Sequence, residues 1–215
     1  MPHCYNKYMK KALWLQLLSW TLGIGVIAVA ISAWSEVRLT GRPLTAYDFF
    51  PPLGLSAFGL MWTHYTTGAL RRIFNAPPAT LKVYFTVTSW IVLVLILLHP
   101  GIFVTKLWLD GFGLPPISYL TVYQDTLMRI ALLLGTLSLL TFLAFEFRRK
   151  YREKSWWKYV EYANIAAMFA ILYHGFTLGQ ELSLSWLRWI WLFYTVTLAG
   201  AVIYNEVNKK EAKNE

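Results

Sequence analysis

Six apolar runs mark the chain, at residues 12–34, 49–70, 80–105, 121–146, 157–179 and 184–206. Each is close to the length of about 20 residues that a helix needs to cross a bilayer. Turn and breaker signals separate them, notably "TGRP" at 40–43, "NAPPA" at 75–79 and "GFGLPP" at 111–116. The pattern predicts an all-α polytopic membrane protein, a six-transmembrane-helix bundle forming a single membrane domain over 1–215. The first run is too long for a signal-peptide core, so it predicts a retained helix. No short-period repeat and no low-complexity linker interrupts the series.

Composition sharpens this picture. Only 14% of residues are charged, where a soluble domain carries about 25%. The single cysteine, Cys4, excludes an internal disulfide or a CxxC pair. The net charge of +9 is better explained by membrane side than by nucleic acid. With the N-terminus inside, fifteen Lys and Arg fall on cytoplasmic segments: Lys7, Lys10, Lys11, Arg71, Arg72, Lys82, six over 148–158, and Lys209, Lys210 and Lys213. Only Arg38, Arg42 and Lys106 fall outside. This bias predicts cytoplasmic N- and C-termini in a prokaryotic inner or plasma membrane. The basic runs then read as topogenic; contact with anionic lipid or a cytoplasmic partner is the other reading.

Candidate chemistry lies in the histidines. His64, His99 and His174 fall inside spans two, three and five, whereas His3 is in the N-terminal tail. Polar groups inside a bilayer are unfavourable unless paired, which marks them as candidate functional sites. Spans three and five run in the same direction. His99 follows Lys82 by 17 residues and His174 follows Lys158 by 16, so both sit about 25 Å from the inner end. Two neutral imidazoles at one level can hold a single iron from opposite faces, as in a one-electron haem carrier. In the plainer reading, each histidine only bonds a neighbouring helix.

At these residues the chain resembles the ferric-reductase-like transmembrane family, with MsrQ nearest in layout and the STEAP and NADPH oxidase membrane domains also similar. The resemblance rests on the basic loop and helix start "RRKYREKSWWKYVEYANIAAMFAILYH", with Trp157, Val160 in a leucine position and His174. It rests also on His99 after "SWIVLVLIL", and covers residues 50–205. It implies haem b with His99 and His174 as axial iron ligands. Two-haem relatives carry further histidines where this chain has Phe85 or Thr86, and Glu161, so one haem is implied.

About ten residues follow the sixth run and no GxGxxG occurs. The expected reductant is therefore a separate flavoprotein, a quinol, or a flavin held at the inner ends of the spans. The expected acceptor lies on the outer side. His64, Glu161 and Arg72, with Trp62 and Tyr65 nearby, are the candidates for an inner quinone or flavin site. Their plainer reading is that Glu161 reaches the interface and His64 bonds a neighbouring helix. The expected function is transmembrane electron transfer by an oxidoreductase. The competing classes are a cofactor-free transporter or assembly factor with structural histidines, and a proton-coupled transporter using His64 and Glu161.

Overall fold

The computed structural model describes the backbone of residues 2–39, 41 and 43–214, and their side chains except for 2–9, 149 and 209–214. Expectations resting on Arg42, or on the side chains of His3, Cys4, Lys7, Arg149, Lys209, Lys210 and Lys213, lie outside the described residues. Among the described residues the chain is helical, with no strand. Six long helices are α1 (Pro2–Arg38), α2 (Phe50–Ile73), α3 (Lys82–Leu109), α5 (Thr126–Glu146), α7 (Trp157–Leu178) and α8 (Ser185–Asn214). Two short ones, α4 (Ile117–Val122) and α6 (Arg148–Tyr151), lie in the connections on either side of α5.

Four of these elements are long and apolar enough to cross a membrane: Lys10–Arg38, Pro78–Leu109, Thr126–Glu146 and Ser185–Asn208. Their outer faces carry large exposed apolar side chains such as Trp90, Val94, Leu137 and Phe193. Apolar surface on this scale belongs against lipid rather than water. The protein is therefore a membrane protein built of helices.

The other two long helices are more polar for a structural reason. α2 is the central element and packs closely against α1, α3 and α8. Four consecutive residues of α2 each bond a neighbouring helix. Trp62 Nε1 donates to Thr197 Oγ1 of α8 at 2.9 Å, and Thr63 Oγ1 meets Tyr84 Oη of α3. His64 bonds Thr88 of α3 at 2.6 Å, and Tyr65 Oη donates to Asn164 Oδ1 of α7 at 2.7 Å. Bonds of this kind between helices hold membrane bundles together where apolar burial gives no net drive. α7, which carries Lys158, Glu161, Asn164 and His174, packs mainly on α5.

The expected fourth run over 121–146 divides. α4 ends at Val122, and α5 starts after Asp125, whose side chain accepts the Met128 amide at 2.9 Å as an N-cap. Arg129 then ties α4 to α5 by donating to the carbonyls of Tyr123 and Leu120, satisfying groups left open at a helix C-terminus. The turn before α4 bends at Gly111 and Gly113, with φ of +84° and +77°, where a side chain would be strained.

Candidate functional site

Two tightly packed antiparallel helix pairs, α2 with α3 and α5 with α7, meet at His99 and His174. α3 and α7 are not themselves among the closely packed pairs. The two imidazoles lie between them, ring centres 6.4 Å apart and planes crossed at 76°.

Each ring is held by its own hairpin in the same manner. His99 Nδ1–H donates to the Phe50 carbonyl of α2 at 2.7 Å. His174 Nδ1–H donates to the Ala131 carbonyl of α5 at 2.8 Å. A carbonyl only accepts, so both contacts place the proton on Nδ1 and leave Nε2 with the lone pair in a neutral ring. Four residues after each acceptor stands a glycine. A Cβ on Gly54 would lie 2.7 Å from His99 Cε1, and one on Gly135 would lie 2.6 Å from His174 Nδ1. The rings therefore occupy the space that any side chain at 54 or 135 would fill.

Pro100, directly after His99, lies inside α3 and has no N–H to give the Ile96 carbonyl. Toward the C-terminal end of α3 the site is closed by aromatic rings. Phe50 stacks near His99 at 5.2 Å and near Phe103 at 5.9 Å, while Phe103 stacks on Tyr119 of α4 at 5.9 Å. Tyr47 and Tyr123 also pack near Phe103, with ring centres 6.2 Å and 6.3 Å away.

A charged cluster stabilises the approach to Phe50. Arg38, at the end of α1, bonds Glu181 Oε1 at 3.3 Å and lies 3.6 Å from Asp48 Oδ1. Asp48 and Glu181 are 1% and 2% exposed, so their carboxylates are desolvated and the Arg38 guanidinium between them offsets that cost. Asp48 also accepts the Thr45 amide at 2.8 Å, and its carbonyl accepts Trp34 Nε1 at 2.6 Å. The cluster fixes the 3-10 turn Ala46–Phe49, which leads directly into Phe50. Sequence reasoning did not find Arg38, Asp48 or Glu181 as a group, nor Gly54 and Gly135.

His64 differs from the other two histidines. The Thr88 hydroxyl gives its hydrogen to the Tyr84 carbonyl at 2.6 Å, so at 2.6 Å it accepts His64 Nε2–H. The nitrogen that is unprotonated in His99 and His174 is thus the donor in His64. Phe85 packs edge-on against His64, with ring centres 5.1 Å apart. Arg72 Nη1 donates to the Asn205 carbonyl of α8 at 3.3 Å. Glu161 is half-buried near the N-terminal end of α7, close enough to act electrostatically on Tyr65. The structure thus brings His99 and His174 together and ties His64 and Arg72 to separate neighbours.

The donor set limits what the imidazole pair can hold. Among the described residues, no group of three or more His, Cys, Asp or Glu is placed to bind a metal ion. Two imidazoles are too few for zinc, which takes at least three protein ligands. They suit a metal whose other positions are filled by a macrocycle. His99 and His174 would be the residues to hold such a group, their ring centres 6.4 Å apart. No family model, curated protein or solved structure matches the chain.

Proposed function

We propose that the chain is a six-span membrane protein with cytoplasmic termini, which carries electrons across the bilayer through one haem b held by His99 and His174. The observation that carries this reading is the separation of 6.4 Å between two rings whose Nδ1 protons are both fixed on backbone carbonyls. The ferric-reductase-like resemblance implies the same pair.

Held by His99 and His174, the group would supply one-electron transfer rather than oxygen binding. The chain's own residues do the remaining work. Phe50 and Ala131 carbonyls fix the tautomer and aim of each ring, which also raises its basicity as a ligand. Gly54 and Gly135 allow the close approach. Phe50, Phe103 and Tyr119 keep water from the outer side.

On this reading the electron donor is a quinol, a flavin or a partner reductase at the cytoplasmic side, and the acceptor is outside. His64 and Arg72 are assigned packing roles, because Thr88 and the Asn205 carbonyl already engage them. Glu161, half-buried near the start of α7, is the inner candidate for contact with a quinone or flavin.

The test is the visible spectrum of protein purified from haem-replete cells. A Soret band that shifts and sharpens with dithionite is expected. A colourless, folded protein from such cells would leave the cofactor-free reading in its place.

A further inference from the structure

The connection between α5 and α7 carries a surface that the imidazole pair does not use. Residues 146–158, "EFRRKYREKSWWK", hold six basic residues and two acidic ones. Arg148, Lys150, Arg152, Lys154 and Lys158 have no carboxylate partner among the described residues. The arginines at the end of α2 are different: Arg71 and Arg72 donate to the carbonyls of Ala76 and Asn205.

Three of these five cations lie on aromatic rings. Arg148 sits 5.5 Å from the Phe145 ring centre, Lys150 5.1 Å from Tyr151, and Lys158 5.0 Å from Tyr159. The rings themselves form a continuous ladder. Phe147 lies 6.5 Å from Tyr151, Tyr151 5.6 Å from Trp156, and Trp156 5.7 Å from Trp157. Phe147, Trp156 and Tyr159 of this group are exposed.

The location decides what fits. The apolar α5 ends at Glu146 and α7 starts at Trp157, so the segment lies where helices leave the bilayer. Exposed Trp and Tyr at such a level sit among lipid headgroups. The cations over Phe145, Tyr151 and Tyr159 share that level, where lipid phosphates are found. An acidic soluble protein would reach the cations from the water side and leave Phe147 and Trp156 uncovered. A lipid headgroup layer meets both needs.

We propose that this basic–aromatic segment binds the phosphates of anionic lipids, with Arg148, Lys150, Arg152 and Lys154 supplying charge and Phe147 and Trp156 anchoring it. The proposal needs the chain to lie in a membrane but does not depend on the haem.

It is tested by extracting the full chain from vesicles of equal phosphatidylglycerol and phosphatidylcholine, then measuring the lipid retained after washing in detergent. Wild type should retain phosphatidylglycerol several-fold over phosphatidylcholine. The Lys150→Gln/Arg152→Gln/Lys154→Gln variant should lose most of that preference, while Lys10→Gln/Lys11→Gln keeps it. These charges also orient the chain, so the sole cysteine, Cys4, is labelled with an impermeant maleimide to check sidedness. If the triple variant is inverted, Phe147→Ser/Trp156→Ser, which changes no charge, should lower retention instead. Equal retention of the two lipids by wild type would overturn the proposal. So would an unchanged preference in the upright triple variant or, where that variant inverts, in the Phe147/Trp156 variant. Salt-sensitive binding of an acidic soluble protein without any lipid preference would also overturn it, in favour of a protein partner.

Discussion

His99 and His174 are held by the same local device, although they lie on different hairpins. Each gives its Nδ1 proton to a carbonyl on the antiparallel neighbour, at residues 50 and 131, and each ring lies against a glycine four residues further on. α2 and α3 are to His99 what α5 and α7 are to His174. The two hairpins are thus local equivalents meeting at a shared pair of rings, which explains why the imidazoles arrive together without close packing of α3 on α7.

The first prediction concerns the glycines. Gly54→Ala and Gly135→Ala each put a methyl within 2.8 Å of an imidazole atom, closer than packing tolerates, so the ring or the helix must move. Each variant should lower the haem bound per protein severalfold while the protein still folds. Haem content against protein concentration is the measurement, with Gly68→Ala, which meets nothing within 4 Å, as the unaffected control.

The crossing of the rings gives a second prediction. Planes inclined at 76° leave the two imidazoles unaligned about a shared axis. The ferric protein should show a strongly anisotropic low-spin resonance at low temperature, of the kind given by crossed axial imidazoles. A high-spin signal would mean that one ring does not ligate.

Arg38 supplies the third. Its removal leaves the buried Asp48 and Glu181 carboxylates without the guanidinium between them. Breaking a buried ion pair from one side costs about 3–5 kcal/mol. Arg38→Gln should therefore lower the unfolding temperature in detergent markedly. Glu181→Gln, which keeps an acceptor for Arg38, should have a smaller effect. Equal melting of Arg38→Gln and wild type would contradict a stabilising role for the cluster.

Much of this architecture was legible from the chain. Apolar runs bounded by Gly, Pro and charge locate the long helices, because a helix in lipid must satisfy its own backbone. Counting from Lys82 and Lys158 brings His99 and His174 to one level, because rise per residue is constant along a helix. What counting cannot supply is azimuth and pairing. Gly54 and Gly135 matter only once α2 faces α3 and α5 faces α7. Arg38 and Glu181 stand 143 residues apart, and no local spacing links them. The break before α5 is a different case: Asp125 lies inside the expected run 121–146 and directly precedes the helix Thr126–Glu146, and that N-cap signal was available in the sequence.

A fourth prediction addresses the inner half. Thr88→Val removes the acceptor of His64 Nε2–H and the bond across α2 and α3. Hydrogen bonds between membrane helices are worth about 0.6 kcal/mol on average, so stability should fall only slightly and haem content should hold. Glu161→Gln should slow reduction of the haem by added quinol or reduced flavin; an unchanged rate counts against a role for that carboxyl.

The most direct test of the central claim is a reduced-minus-oxidised difference spectrum of wild type, His99→Ala, His174→Ala and His64→Ala, each normalised to folded protein. The haem bands should be present in wild type and His64→Ala, and absent or nearly so in His99→Ala and His174→Ala. Full bands in either His99→Ala or His174→Ala, or their loss in His64→Ala, would contradict the assignment.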